Sequence, residues 1–594
     1  MEVEVKVPSL LHLRARWPWR SPRQSLRNGS VQLVILALLI GVGAGFGAVA
    51  FRWLIGRATL LFSGSTDYSG TTGHPSHPWL TWLGPAFIVM VPTIGGLIYG
   101  PLVDRFAREA RGHGVPEVMY AVNHRGGRIP GKVAVVKTLA SALTIGSGGS
   151  VGREGPIVQI GSAMGSTLGR WARVPESRLR TLVACGAAGG IAATFNAPIA
   201  GVFFALELIL LDFAATSFGT VVLASVTAAA IGRTFLGDAP FLSLPPFTVS
   251  SPREYLLYAL LGVFAAAVGI GFTKILYGME DFWDGLWRGP EWLRPGVGGL
   301  ALGALLLFLP ELYGVGYPVL ERGIAGQYVV AFLLVLLVGK IVATSLTIGI
   351  GGSGGVFAPS LFMGAMLGAA FGQVAANFAP GLNISPGAYA LVAMGAVFAG
   401  ATRAPITSVI ILFELTGEYT IILPLMLAVV VATGISRKLS PDTIYTLKLK
   451  RRGVKVGDRE LHEALSALLV GDEMGPAPQP LHTRMVARDA AKRLLATRRG
   501  SLPVETNHGT FIGVITSSAL AGALATDVDA GSLTVSQLVE MPTLLSPDMT
   551  VDEALDAMLG DDAGDGLPVV DKDGQLCGWL GHDTVLRVVA SSEP

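Results

Sequence analysis

The stretch GSGGSVGREGP, residues 146 to 156, decides how this chain is read. Five glycines surround an adjacent Arg153 and Glu154 in the middle of a long apolar region. An ionisable group in such a place carries a large desolvation cost and is by default functional. A glycine-rich segment that opens a helix presents N–H groups with no intrahelical acceptor, together with the positive end of the helix dipole. Pointed at a cavity, such an end binds an anion without a full positive charge. Two further stretches have the same form, GHGVPE at 112 to 117 and GGVFAP at 354 to 359. In each, glycine precedes a proline near a helix start, where the missing N–H costs nothing. Close packing of helices through small residues is the alternative. Three such stretches, two of them in repeat register, favour the site. No G-K-[ST] follows at the spacing of a phosphate-binding loop.

The surroundings are lipid-like. Only 14% of the 594 residues are charged, against roughly 25% in soluble domains, and mean hydropathy is +0.56. Apolar runs such as VQLVILALLIGVGAGFGAVAF from 31 and VVAFLLVLLVGKIVATSL from 329 suit membrane spans. Others are short or cut by Gly and Pro, which is tolerated at membrane depth only where protein or a watery cavity covers the freed backbone. The expected fold is therefore an all-α polytopic membrane domain with broken and short helices. Arg14, Arg16, Arg20, Arg23 and Arg27 precede the first span, and Arg437, Lys438, Lys448, Lys450, Arg451 and Arg452 follow the last. Both flanks are thus expected in the cytoplasm, with an even number of crossings of a cell (plasma or inner) membrane. The N-terminal apolar run is too long, and followed by too many others, for a cleaved signal.

Internal repeats set the architecture. TIGSGGSVGREGPIVQIGSAMG (144 to 165) matches TIGIGGSGGVFAPSLFMGAMLG (347 to 368) at an offset of 203, and Lys137 and Lys340 share that register. Further on, NAPIAGVFFALEL (196 to 208) matches RAPITSVIILFEL (403 to 415), aligning Glu207 with Glu414. Transporter repeats are often inverted, with the ligand site at their interface; the offset alone leaves inverted and parallel arrangements open.

Glu154 has an evident use beside an anion site. Ionised, it competes with the anion for the same N–H groups; protonated, it withdraws. A salt bridge to Arg153 is the structural alternative, although adjacent residues on a helix do not face each other.

From about residue 446 the chain becomes charged and loses spanning segments. SLPVETNHGTFIGVIT (501 to 516) parallels GLPVVDKDGQLCGWLG (566 to 581), each preceded by a helical pattern. Two small α+β modules packed as a pair are expected. The expected domains are a cytoplasmic segment 1–30, a transmembrane domain 31–445 with repeats near 80–220 and 290–440, a linker 446–470, and a tail 471–594 with modules 471–530 and 536–590.

GREGP, GGVFAP and the preceding G-x-G-x-P-E resemble the CLC chloride channels and proton/chloride antiporters, and the tail resembles the paired CBS domains that many of them carry. The resemblance covers essentially the whole chain. It implies a homodimer with one anion pathway per subunit, each built from two inverted repeats. Glu154 is similar to the family's external gating glutamate. Val356 and Phe357 resemble the residues whose amides line the central anion site, and Tyr445 in SPDTIYTLK resembles the tyrosine that closes it from inside. Gly152, Arg153 and His113 complete the expected anion-binding set, with Glu154 and Glu207 as proton-path candidates. His113 stands where chloride-selective members commonly have Ser: a neutral imidazole donates one hydrogen bond, or the ring faces solvent at the inner vestibule. The antiporters place a second Glu, the internal proton acid, where this chain has Leu208, and an apolar side chain relays no proton. Glu207, Glu117 and Lys137 read as structural.

In CBS pairs, G-h-h-[ST]-x-x-D supplies an Asp to a nucleotide ribose. Here the last positions are Ala519 and Thr584, which argues against adenine-nucleotide binding, and no other cofactor is expected. The leading expectation is chloride transport gated by protonation of Glu154, as proton/chloride exchange. A passive anion channel lacking the internal acid is the alternative. A membrane-anchored nucleotide sensor is a second one, disfavoured by both tail motifs. A net charge of +2 gives no ground for nucleic-acid binding, and Cys185 and Cys577 form no metal set. No nucleophile–base constellation suggests an enzyme.

Overall fold

The computed structural model describes residues 29–71, 75–238, 251–379, 381–382, 384–453, 465–497, 499–506, 509–526, 533–559 and 565–591. The N-terminal arginines and residues 454–464 of the linker lie outside them. The chain divides into two compact units, Met1–Val456 and Gly457–Pro594.

The first unit is helical. Its helices, numbered in chain order, are α1 (Gly29–Ser63), α2 (Phe87–Phe106), α3 (Val115–His124), α4 (Lys132–Gly146), α5 (Glu154–Trp171), α6 (Glu176–Phe195), α7 (Pro198–Phe204), α8 (Ala215–Leu236) and α9 (Glu254–Leu286). They continue with α10 (Arg294–Phe308), α11 (Tyr317–Ile324), α12 (Val330–Gly349), α13 (Phe357–Phe378), α14 (Pro386–Thr402), α15 (Pro405–Thr416), α16 (Ile422–Leu439) and α17 (Thr446–Arg451). Among the described residues, seven helices are long and apolar enough to cross a membrane, and four apolar helices are shorter. The long ones turn large apolar side chains such as Leu39, Trp53, Val263 and Leu423 outward, as lipid contact requires. This is a multi-pass membrane protein with broken and short helices.

Reciprocal hydrogen bonds define the relation between the repeats. Ser353 N–H donates to Thr144 Oγ1 at 3.2 Å, and Ser150 N–H donates to Thr347 Oγ1 at 3.1 Å. These are the same pair with the copies exchanged. Gly152 and Gly355 exchange N–H···O bonds of 2.8 and 2.6 Å in an antiparallel bridge. A pseudo-twofold axis thus passes between equivalent glycines, and the two inverted repeats meet there.

Among its described residues, the second unit holds two β-hairpins, each followed by a helix. Strands β2 (Ser501–Glu505) and β3 (Phe511–Thr516) pair antiparallel, with β1 (Leu481–His482) parallel to β2; β4 (Gly566–Val570) pairs antiparallel with β5 (Leu576–Gly581). Val504↔Gly513 and Val569↔Gly578 are equivalent partners, and both hairpins slip register just after that point. The copies also exchange segments. Glu540 pairs with Val514 through two 2.8 Å bonds, and Gly475 pairs with Trp579 through two 2.9 Å bonds. Each copy's leading segment therefore completes the other copy's hairpin, the paired α+β arrangement expected of the tail.

Candidate functional site

All three glycine-rich stretches open helices: α3 at Val115, α5 at Glu154 and α13 at Phe357. Their contact leaves no room for side chains. A Cβ on Gly155 would strike the His113 carbonyl, and one on Gly355 would lie 2.6 Å from the Gly155 nitrogen.

The carboxylate of Glu154, 1% exposed, reaches the start of α13. Its Oε2 accepts the Ala358 N–H at 3.3 Å, and its Oε1 accepts the Tyr317 hydroxyl at 2.8 Å. Gly152 makes this possible, because a Cβ there would collide with Oε2. The carboxylate of one repeat thus sits on a first-turn N–H of the other repeat's helix, next to Phe357. The Phe357 ring is held between Phe195 and Phe398, with centroids at 5.4 and 4.6 Å. Val356 is its N-cap.

Tyr317 belongs to a fourth helix start that the three stretches omit. GVGYP (314 to 318) repeats the G-x-G-x-P of GHGVP (112 to 116) at an offset of 202, and that self-match was the available signal. Gly114 and Gly316 cap α3 and α11 at φ of 78° and 87°, a region open to glycine and strained for other residues. Two buried lysines in repeat register hold these loops. Lys137 Nζ donates to the Ala110 and Gly112 carbonyls at 2.9 and 2.7 Å. Lys340 Nζ donates to the Gly314 and Val315 carbonyls at 3.0 Å each. Glu117 pairs with Arg452 at 2.5 Å.

Arg153 lies over the Tyr317 ring, 5.2 Å from its centroid. Both line a cavity of about 560 Å³ together with Arg52, Tyr68, Tyr313 and Glu321. A second cavity, of about 330 Å³, reaches Gly112 and is lined by Arg111, Lys448 and Arg452.

His113 does not face solvent: it is 3% exposed and packed between Tyr277 and Tyr445, with ring centroids at 6.4 and 6.0 Å. The Tyr277 hydroxyl donates to the Ile444 carbonyl at 2.5 Å, so its oxygen is left to accept His113 Nε2–H across 3.3 Å. A neutral imidazole carries one N–H, and here it is spent on Tyr277. The buried Nδ1 has no hydrogen-bond partner among the described residues and in this tautomer is an acceptor. Tyr445, 1% exposed, follows Ile444 and caps α17.

Glu207 takes a different place from Glu154. It lies on the π-helical turn Ala205–Leu210 that continues α7, and no contact joins it to Glu154 among the described residues. Its Oε1 accepts Ile406 N–H at 3.1 Å, and its Oε2 accepts the Thr407 N–H and hydroxyl at 2.8 and 2.6 Å. Both oxygens are committed to capping α15. Leu208 beside it is buried.

In the tail, the Thr516 hydroxyl bonds Glu540 at 3.0 Å and accepts the Ala519 N–H at 3.1 Å. Asp583 pairs with Arg587 at 2.7 Å, which holds its carboxyl below the usual range.

Fold and site together define a membrane protein of two inverted repeats meeting at glycine-rich helix starts, followed by a paired α+β tail. The family model described as voltage gated chloride channel matches residues 95–437, and the CBS domain model matches 535–591. A ClcB-like protein of Ralstonia nicotianae is 34% identical over 426 residues, covering 70% of this chain and 97% of its own length. An H(+)/Cl(-) exchange transporter ClcA of Cronobacter sakazakii is 33% identical over 439 residues, covering 72% and 92%. The solved structure of a slow cyanobacterial Cl-/H+ antiporter superposes with a TM-score of 0.64 at 25% identity, covering 71% of this chain and 98% of that one. The chain belongs to the voltage-gated chloride channel (CLC) family and carries CBS domains.

Proposed function

We propose that this protein moves chloride across a cell membrane in exchange for protons, with Glu154 as a proton-operated plug. One observation carries the reading: the Glu154 carboxylate occupies the Ala358 N–H at the start of α13, the place where an anion would be held. Protonation removes the charge that competes for this donor, the side chain leaves, and chloride takes its place. Gly152, Arg153, Val356 and Phe357 would form the anion's surroundings on the Glu154 side, and His113 and Tyr445 those at the inner end. Relatives bearing exchanger names support coupling. We further propose a homodimer, both termini cytoplasmic, and a tail that stabilises the protein without binding nucleotide.

A passive channel is the second reading, favoured by the buried Leu208 and by the commitment of Glu207 to a helix cap. The test is reconstitution of the full chain in liposomes with chloride and proton movement recorded together. Exchange predicts uphill proton movement driven by a chloride gradient; chloride flux without proton movement establishes the channel. Transport in Glu154→Gln that keeps its wild-type pH dependence would sink the plug assignment.

A further inference from the structure

We infer that Tyr317 is the positioning residue that holds the Glu154 plug in the site, so that its hydroxyl sets the pH at which transport turns on. The inference rests on the reading of Glu154 as the plug. Three independent features place the phenol. The loop before α11 is pinned by Lys340 Nζ on the Gly314 and Val315 carbonyls. It is tied to the end of α4 by the Tyr313 hydroxyl on the Gly146 carbonyl at 2.5 Å. The Arg153 guanidinium lies over the Tyr317 ring. The hydroxyl so placed donates to Glu154 Oε1 at 2.8 Å while Ala358 N–H engages Oε2.

A phenol donates more strongly to a carboxylate than to a carboxylic acid, since the charge-assisted bond is the stronger one. Tyr317 therefore stabilises the ionised, seated plug over the protonated, released one. Arg153 beside it also acts on the carboxylate, and the carboxylate's charge is felt at Lys340 on α12 and at Tyr445 ahead of α17. All three remain when only the Tyr317 hydroxyl is removed. Losing that hydroxyl favours release, so less acid is needed to open the pathway.

The experiment is chloride flux against pH in liposomes for the full-length protein, Tyr317→Phe, Glu154→Gln and the double variant. A lost charge-assisted bond corresponds to a midpoint about one pH unit higher in Tyr317→Phe, with the low-pH maximum unchanged. Added to Glu154→Gln, the same substitution should have no effect. A wild-type profile in Tyr317→Phe, alongside a pH-insensitive Glu154→Gln, overturns the inference and leaves the plug reading standing. A pH-dependent Glu154→Gln overturns the plug reading itself. Should Tyr317→Phe fail to fold, fluorotyrosine placed at 317 decides instead. Its more acidic hydroxyl must move the midpoint to lower pH, and an unmoved midpoint counts against the inference.

Discussion

Glu207 caps the helix that carries Glu414, and Glu414 caps the helix that carries Glu207. Glu207 accepts the Ile406 and Thr407 N–H groups at 3.1 and 2.8 Å, and Glu414 accepts those of Ile199 and Ala200 at 3.0 and 2.7 Å. Each repeat therefore terminates the other's helix, and neither cap survives without both copies. We expect Glu207→Gln and Glu414→Gln to cost about 1–2 kcal/mol each, read as similar drops in the melting temperature of the purified protein. Proton coupling should persist in both. If Glu207→Gln stops protons while chloride still moves, Glu207 carries protons as well as capping.

The buried lysines make a second matched pair. Lys137→Met and Lys340→Met each strand two carbonyls, at about 1–3 kcal/mol for each unsatisfied group. Both variants should lose comparable stability in a thermal melt. A neutral result in either would show that water reaches and satisfies the loop.

Gly355→Ala should abolish transport and lower the yield of folded protein, because its Cβ would sit 2.6 Å from the Gly155 nitrogen and backbone has nowhere to move. Gly381→Ala, where nothing lies within 4 Å, is the control and should leave flux unchanged.

His113→Ser should alter anion preference. It breaks the bond from Nε2 to Tyr277 and places a rotatable hydroxyl donor where the imidazole presents an acceptor. A hydrogen bond of about 1 kcal/mol amounts to about fivefold in affinity, measured as the chloride-to-nitrate flux ratio. An unchanged ratio means that this position does not touch the permeating anion.

Glycine and proline carried most of the legible information, because only a few backbone geometries call for them. GREGP and GGVFAP mark helix starts at Glu154 and Phe357, and the self-match at offset 203 marks the repeats. The weaker match at 314 to 318 marks a fourth loop that glycine content alone does not distinguish. Tyr317 and Tyr277 gave no signal, since a tyrosine in an apolar chain reads as packing until its hydroxyl has a partner. Those partners, Glu154 and His113, lie 163 and 164 residues away. Glu207 read as structural from its repeat mate, but its cap donors on α15 appear only in the folded chain.

By itself, the sequence determined that the chain is a polytopic membrane protein, that its helices are interrupted by glycine loops, that the membrane part and tail are each duplicated, and that a carboxylate stands at one interruption. These follow from composition, spacing and self-similarity, which are local or periodic. Only the tertiary structure decided that the repeats face each other across Gly152 and Gly355, and that Glu154 is seated on its partner's helix under the Tyr317 hydroxyl. It alone decided that His113 spends its N–H on Tyr277. The reason is physical: a hydrogen bond depends on ångströms and angles between groups far apart in the chain, and residue order does not encode them until the helices pack.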